Sequence, residues 1–421
     1  MKISVRNLAK IESADIELNG ITLIVGANDA GKSTCGKAVC ALANAFTQME
    51  MRGRRILSER ISKLAEKVLN AHLFLFGEDC VDAFIDEKLN AEDMATKMIE
   101  RTHRYGRSQD VNAETKKELV ARLEELRALD SHVVECEAVQ RCFDSAFNGQ
   151  YLPLVKGVRA ATTISVLTEG DAVGLALTLK RNSCEFKSLD GFKCNAWLLA
   201  DPSVVSDLGE HRMIRCRDQF EWALVSAINE SRHVSKVDPV AGAFDAAMQK
   251  NKWQKIATCL ANTHVTDISF DKAKGYVIRK KEFSDPLLID NASMGVKAIA
   301  LLQILGSSGL LKEDDILVLD EPEVHLHPAW QIVYAEAIVL IAKELGVKVL
   351  LTTHSPDFIQ AIRLFSTKHE VQDSLTAYLT LGENRTTMDK VSLKNWDKVF
   401  DRFASAVRTL QDLSDLLQEK K

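Results

Sequence analysis

Near the start of the chain, Gly26-Ala27-Asn28-Asp29-Ala30-Gly31-Lys32-Ser33 follows the pattern G-x-x-x-x-G-K-S. Two glycines let a loop wrap closely around phosphate oxygens, and backbone N–H groups at a following helix N-terminus supply positive potential. Lys32 is then placed to reach the β- and γ-phosphates and Ser33 to ligate Mg²⁺. Asn28, Asp29, Ala30, Gly31 and Thr34 are expected to line the same nucleotide. Far along the chain, Ile316-Leu317-Val318-Leu319 runs into Asp320 and Glu321. An apolar strand of this kind delivers carboxylates to its C-terminal edge, where open α/β sheets hold ligands. Asp320 is expected to hold Mg²⁺, directly or through water, and Glu321 to polarise the water that attacks a γ-phosphate. A second apolar run, Val349-Leu350-Leu351-Thr352-Thr353, is followed by His354. A histidine after a strand is usually a structural residue. Here the next β/α unit brings it to the same sheet edge, where imidazole senses a terminal phosphate by hydrogen bonding.

The elements that must position these groups are legible in outline. Residues 3–9 and 21–25 read as strands separated by the turn-prone Asn19-Gly20, the second of them buried. A helix is predicted from Ser33 to about Phe46. Apolar residues recur at helical spacing over about 51–150, with no proline before Pro153, which suggests a helical insertion. Residues 161–168 and 173–180 read as a hairpin joined by Glu169-Gly170-Asp171. A second helical block spans 205–262, and a β pair near 266–284 turns at Lys274-Gly275. Helix 294–305, strand 315–320, helix 329–344, strand 347–353, helix 356–365, strand 374–381 and a last helix at 395–418 complete the pattern. Such alternation is that of a mostly parallel, helix-covered sheet. Phe403, Val407, Leu410, Leu413 and Leu417 form an apolar stripe on the last helix. It packs on its own head or docks a partner.

The 421 residues, 46% of them apolar, suffice for two or three lobes with a sizeable core. A net charge of -5 gives no global attraction to nucleic acid or anionic membrane. No run approaches a membrane span, and MKISVRNLAK lacks the apolar core of a signal peptide, so a cytoplasmic protein without membrane contact is expected. The nine cysteines are odd in number and never paired as C-x-x-C, which fits reduced thiols. Arg52, Arg54, Arg55 and Arg60 form a local basic cluster, readable as a DNA-phosphate site or as a solvated helix face.

Four segments in order, GANDAGKST (26–34), ASMGVK (292–297), ILVLDEPEVHLHP (316–328) and LLTTHSP (350–356), resemble the ABC-type P-loop ATPases of the OLD, RecF and SMC-like group. They correspond there to Walker A, the signature, Walker B and the switch histidine. The resemblance is nearest to PtuA-like ATPases of Septu and retron-associated anti-phage systems. It implies an α/β fold: an ABC ATPase-like head with a mostly parallel sheet and an antiparallel β subdomain, split by helical insertions. The implied division is 1–50 with 151–204 as the N-terminal part of the head, 51–150 as an insertion, 205–264 as a second helical block, 265–394 as the C-terminal part and 395–421 as a terminal helix.

The resemblance further implies ATP and Mg²⁺ as cofactors and a homodimer or higher even oligomer, in which Ser293 and Gly295 reach the other subunit's nucleotide. Met294 departs from the family's usual S-G-G. Glu323 to Pro328 resembles the loop after Walker B, so His325 and His327 are not read as zinc ligands. Leu198 to Ser203 resembles a stretch in relatives and receives no chemistry. The chain ends at Lys421, so a Toprim nuclease of the kind OLD proteins carry is not expected within it, and a separate nuclease effector is the implied partner. A RecF/SMC-like DNA-maintenance ATPase is the alternative. A transporter subunit fits the E-P-E-x-H-L-H-P segment and the split insertion poorly.

Overall fold

A computed structural model describes residues 1–69, 78–104, 112–167, 173–188, 194–208, 216, 218–234, 241–280, 282–392 and 395–400. The apolar stripe from Phe403 to Leu417 and the turn Glu169-Gly170-Asp171 lie outside them.

The strands are β1 (Lys2–Leu8), β2 (Ile11–Glu17), β3 (Ile21–Val25), β4 (Thr162–Leu167), β5 (Val173–Lys180), β6 (Ser183–Ser188), β7 (Ala196–Leu199), β8 (Asp267–Asp271), β9 (Gly275–Arg279), β10 (Leu287–Leu288), β11 (Ile316–Asp320), β12 (Lys348–Thr353), β13 (Leu375–Leu381) and β14 (Thr386–Val391). The helices are α1 (Lys32–Thr47), α2 (Met49–Leu69), α3 (Glu78–Ile85), α4 (Ala91–Arg104), α5 (Ala113–Arg127), α6 (Ser131–Phe147), α7 (Gln219–Val234), α8 (Ala241–Leu260), α9 (Met294–Ser307), α10 (Pro328–Leu345) and α11 (Pro356–Lys368). Strands β2, β6, β7, β10 and β14 were not among the sequence expectations. In β2, the buried positions 11, 14 and 16 break strict alternation, and β6 and β14 carry many polar residues.

The chain divides into two compact units. One comprises Met1–Asn44, Phe143–Arg181 and Phe186–Lys421; the other comprises Ala45–Cys142 and Asn182–Glu185. Eleven strands form one sheet in the order β6-β5-β4-β1-β2-β14-β13-β3-β12-β11-β7, and β10-β9-β8 form another. Strands β13, β3, β12, β11 and β7 are mutually parallel, whereas β2, β1, β4 and β5 form an antiparallel run. The fold is therefore α/β, with a parallel half and a mostly antiparallel half. All five residues of β3 are buried, as expected of a strand covered on both faces. Ile21, Leu23 and Val25 join one large core with Leu317, Leu319, Val349 and Leu351 and with the apolar faces of α9, α10 and α11. On the other face, Gly36 of α1 lets that helix approach β11: a Cβ there would lie 2.8 Å from Val318 Cγ1.

Within the helical unit, Ile61, Ala65, Leu69, Phe84, Met94, Met98, Leu119 and Leu123 form a separate core. Its surface is laced with ion pairs. Arg54 meets Asp86 at 2.6 Å, Arg55 meets Glu59 at 3.4 Å, and Arg60 meets Glu137. Three of the four arginines in the basic cluster thus already face carboxylates, which reduces the field they offer to a phosphate backbone. The nine cysteines are all free thiols, and Cys35, fully buried in α1, has its thiol pushed up to about 12 by burial. Among the described residues, no helix is long and apolar enough to cross a membrane.

Candidate functional site

The parallel strands place their C-terminal ends side by side. After β3 the chain turns through 26–31 and enters α1 at Lys32. Two glycines make the turn possible. A Cβ at Gly26 would lie 1.7 Å from Thr380 Oγ1 on β13, and Gly31 has φ +76°, a conformation that side-chain-bearing residues rarely adopt. Asp29 also has positive φ, at 60°. Lys10, in the β1–β2 turn, secures that apex by donating to Asp29 O and Oδ2, both at 2.8 Å. The same contact holds the Asp29 carboxyl below its usual range.

Lys32 is only 4% exposed; its Nζ donates to Ala27 O at 2.9 Å and lies 3.3 Å from Glu321 Oε1. Ser33 Oγ donates to Asp320 Oδ1 at 2.8 Å. The β11–β12 register sets Asp320 opposite Thr352, whose hydroxyl donates to the same Oδ1. Glu321 turns out of the strand at φ +48°, and its N–H donates to Thr352 O at 3.0 Å and to Thr352 Oγ1 at 3.1 Å. A non-glycine residue in that region costs about 1–3 kcal/mol and persists only where its surroundings fix it. His354 Nδ1 lies 3.3 Å from Glu321 Oε1, outside hydrogen-bond geometry. One cluster therefore brings together Lys32, Ser33, Asp320, Glu321 and His354 from three strand ends.

A cavity of about 830 Å³ opens beside this cluster. Asn28, Asp29, Ala30, Gly31, Lys32, Ser33, Thr34 and Glu321 line it, along with Ala9, Lys10, Leu154, Val155, Lys156 and Asn384. Sequence reasoning did not point to Lys10, Thr352, Lys156 or Asn384. No motif marks them, because separate loops contribute Lys10, Lys156 and Asn384, and a threonine in a strand is ordinary. A smaller cavity of about 230 Å³ is bordered by Ser33, Asp320, Glu321, Val324, His325 and Tyr334.

Ser293 and Gly295 line neither cavity. Ser293 is the N-cap of α9, accepting from Val296 N at 3.4 Å. Gly295 lets that helix meet the loop after β11, since a Cβ would stand 2.7 Å from His325 O. Within one chain these two residues are not brought to Lys32. In the same loop His327 caps α10, its Nδ1 accepting from Ala329 N at 3.3 Å. No group of three or more metal-ligating side chains is found among the described residues. The stretch at 198–203 pairs with β11 through β7, and Asp201 caps the turn that follows.

Residues 216–360 match a family model described as "AAA domain, putative AbiEii toxin, Type IV TA system". The match spans the signature-like segment, Asp320, Glu321 and His354, and begins after the phosphate loop. With that loop, it gives the chain an ATPase-type P-loop domain. No curated protein sequence matches the chain. Among solved structures, similar chains include an Smc head bound to the C-terminal winged-helix domain of ScpA, at 12% identity, 94% coverage of this chain, 98% of that one and a TM-score of 0.46. The SMC head domain from Thermotoga maritima gives 12%, 93%, 98% and 0.39. A Pyrococcus furiosus Smc head with an extended coiled coil, bound to the C-terminal domain of ScpA, gives 11%, 96%, 98% and 0.44. At these identities and scores the likeness assigns neither activity nor partner.

Proposed function

We propose that the chain is a Mg²⁺-dependent ATPase of the ABC type whose site is closed by a second copy, and that it regulates a separate effector. The observation that carries this reading is the contact between Ser33 Oγ and Asp320 Oδ1, 2.8 Å apart across 287 positions of sequence. A hydroxyl and a carboxylate are hard oxygen donors of the kind Mg²⁺ takes. Residues 28–31 of the loop line a cavity of about 830 Å³, within the range usual for small-molecule sites, about 300–1,000 Å³. Bound together, ATP supplies the γ-phosphoryl group and Mg²⁺ neutralises its charge.

Each residue then has a task. Ser33 and Asp320 hold the metal. Lys32, now beside Ala27 O and Glu321, turns its ammonium to the phosphates, and this frees Glu321 to accept a proton from water. His354, beside Glu321, would hydrogen-bond the terminal phosphate. Ser293 and Gly295 act on the neighbour's nucleotide from the N-terminus of α9. Because phosphoryl transfer depends on positioning and charge neutralisation, parting the two copies switches the site off.

The PtuA-like reading, an anti-phage ATPase with a nuclease partner, rests on the order of the four segments. A family description that mentions a type IV TA system accords with a two-component module. Turnover of ATP with Mg²⁺ by the purified chain tests the enzyme. Lys32→Ala is expected to lose nucleotide binding, and Glu321→Gln to retain ATP and accumulate as dimer by light scattering. Unaltered turnover in both variants would sink the assignment. Co-purification with the product of a neighbouring reading frame, carrying nuclease activity, supports the effector role, whereas DNA-stimulated turnover points to DNA maintenance instead.

A further inference from the structure

Glu323, three residues after Asp320, is a buried acidic group that this mechanism leaves unused. Its side chain is buried, with 2% of the residue exposed, and none of the ion pairs among the described residues includes it. Isolating a carboxylate in this way is costly, so its hydrogen bonds bear on what it does there. Thr353 Oγ1 donates to Glu323 Oε1 and accepts from Ser355 N at 3.1 Å. Ser355 in turn caps α11, its Oγ accepting from Phe358 N at 3.3 Å. Residues 353 and 355 are thus tied to one buried group, directly or through one another, with His354 between them. The group itself is anchored: the Glu323 carbonyl accepts from Leu326 N at 3.0 Å and from Gln331 Nε2 of α10 at 3.1 Å. Glu323 Oε2 has no hydrogen-bond partner. Burial pushes the carboxyl up from its ordinary value.

Resting on the ATPase reading, we propose that Glu323 is a positioning residue: through Thr353 it fixes where the neighbouring His354 imidazole stands relative to Glu321. Among the described residues the imidazole Nδ1 has no hydrogen-bond partner to orient the ring, and it stands 3.3 Å from Glu321 Oε1. Its placement is therefore inherited from the backbone that Glu323 holds. A displacement of about 1 Å at a reacting group is enough to cost about 100-fold in rate.

The test is steady-state ATP turnover by the full chain with Glu323→Leu, Glu323→Gln and Thr353→Val, alone and combined with His354→Ala. Glu323→Leu is expected to lower kcat about 10-fold, the scale on which outer hydrogen-bond partners act. KM for ATP is expected to move by less than about twofold, because Lys32 and the phosphate loop are untouched. Glu323→Gln, which keeps an acceptor for Thr353, is expected to recover most of the loss. In the His354→Ala background, Glu323→Leu is expected to add nothing. Should Glu323→Leu fail to fold, Thr353→Val removes the same hydrogen bond and is expected to give the same fall in kcat. Wild-type kcat in the Leu and Val variants, a parallel change in KM, or losses that multiply with His354→Ala would each overturn the positioning role. A wild-type chain without turnover would instead overturn the ATPase reading, and this role with it.

Discussion

Glutamates 323 and 137 have the same side chain and are driven in opposite directions. At the strand edge, burial without a cation pushes the Glu323 carboxyl up. In the helical unit, burial also works against the charge of Glu137, but Arg60 and Arg141 outweigh it and hold the carboxyl below the usual range. Arg141 bridges Glu137 and Glu59, each at 2.6 Å, from a side chain 40% exposed. Glycines show the same contrast. A Cβ at Gly26 would collide with β13, whereas one at Gly53 in α2 would meet Val134 Cγ1 at an ordinary 3.6 Å. One region uses tight backbone approach and buried charge to fix a few atoms. The other spends ordinary core packing and exposed ion pairs on holding helices together.

The sharpest way to break this contrast is Asp320→Asn. It is expected to lower Mg²⁺-dependent turnover at least about 100-fold, equivalent to about 2.7 kcal/mol on the barrier, with the fold intact by circular dichroism. Gly26→Ala comes next: overpacking against Thr380 is expected to cost about 1–3 kcal/mol in denaturant unfolding. Gly53→Ala should have the opposite sign, stabilising the chain by up to about 1 kcal/mol through helix propensity. If both glycine variants destabilise, the distinction between the regions fails. Arg141→Ala is expected to be smallest, no more than about 1 kcal/mol once solvent screening is allowed for.

The pH dependence separates the two glutamates by sign. The stabilisation from Glu137 is present above the unfolded carboxyl value, about 4.3, and is lost as pH falls through its lower folded value. Glu323 behaves in reverse: its contribution is full below about 4.3 and declines as pH rises through its higher folded value. Carbon-13 NMR of labelled glutamate side chains reads both midpoints. Two midpoints above the free value would show that Arg60 and Arg141 do not act as described, and two below it that burial does not govern Glu323.

How much was legible follows from the same physics. Strands such as ILVLD and VLLTT are covered on both faces, so they read as continuous apolar runs, and the residues at their ends were named from sequence alone. The phosphate loop was legible because its glycines answer to backbone demands. The IESADIE strand was missed because its buried positions do not alternate strictly, and TTMDKV because its apolar positions are few. Thr352 joins Asp320 and Glu321 only through strand register, which no local pattern encodes. Lys10, Lys156 and Asn384 meet at the cavity by tertiary folding alone. Ser293 was legible as a helix cap, which is its role within a single chain.

Strand β3 has a consequence for synthesis. It lies between β12 and β13, and both of these neighbours come from the last part of the chain. At about 5–20 residues per second, a ribosome delivers them about 15–70 s after β3 has emerged. Throughout that interval four apolar residues, Ile21, Leu23, Ile24 and Val25, lack the edges that will cover them. The nascent chain is therefore a client for whatever shields sticky segments in the cell, and a product cut short before residue 348 is expected to aggregate rather than to bind nucleotide.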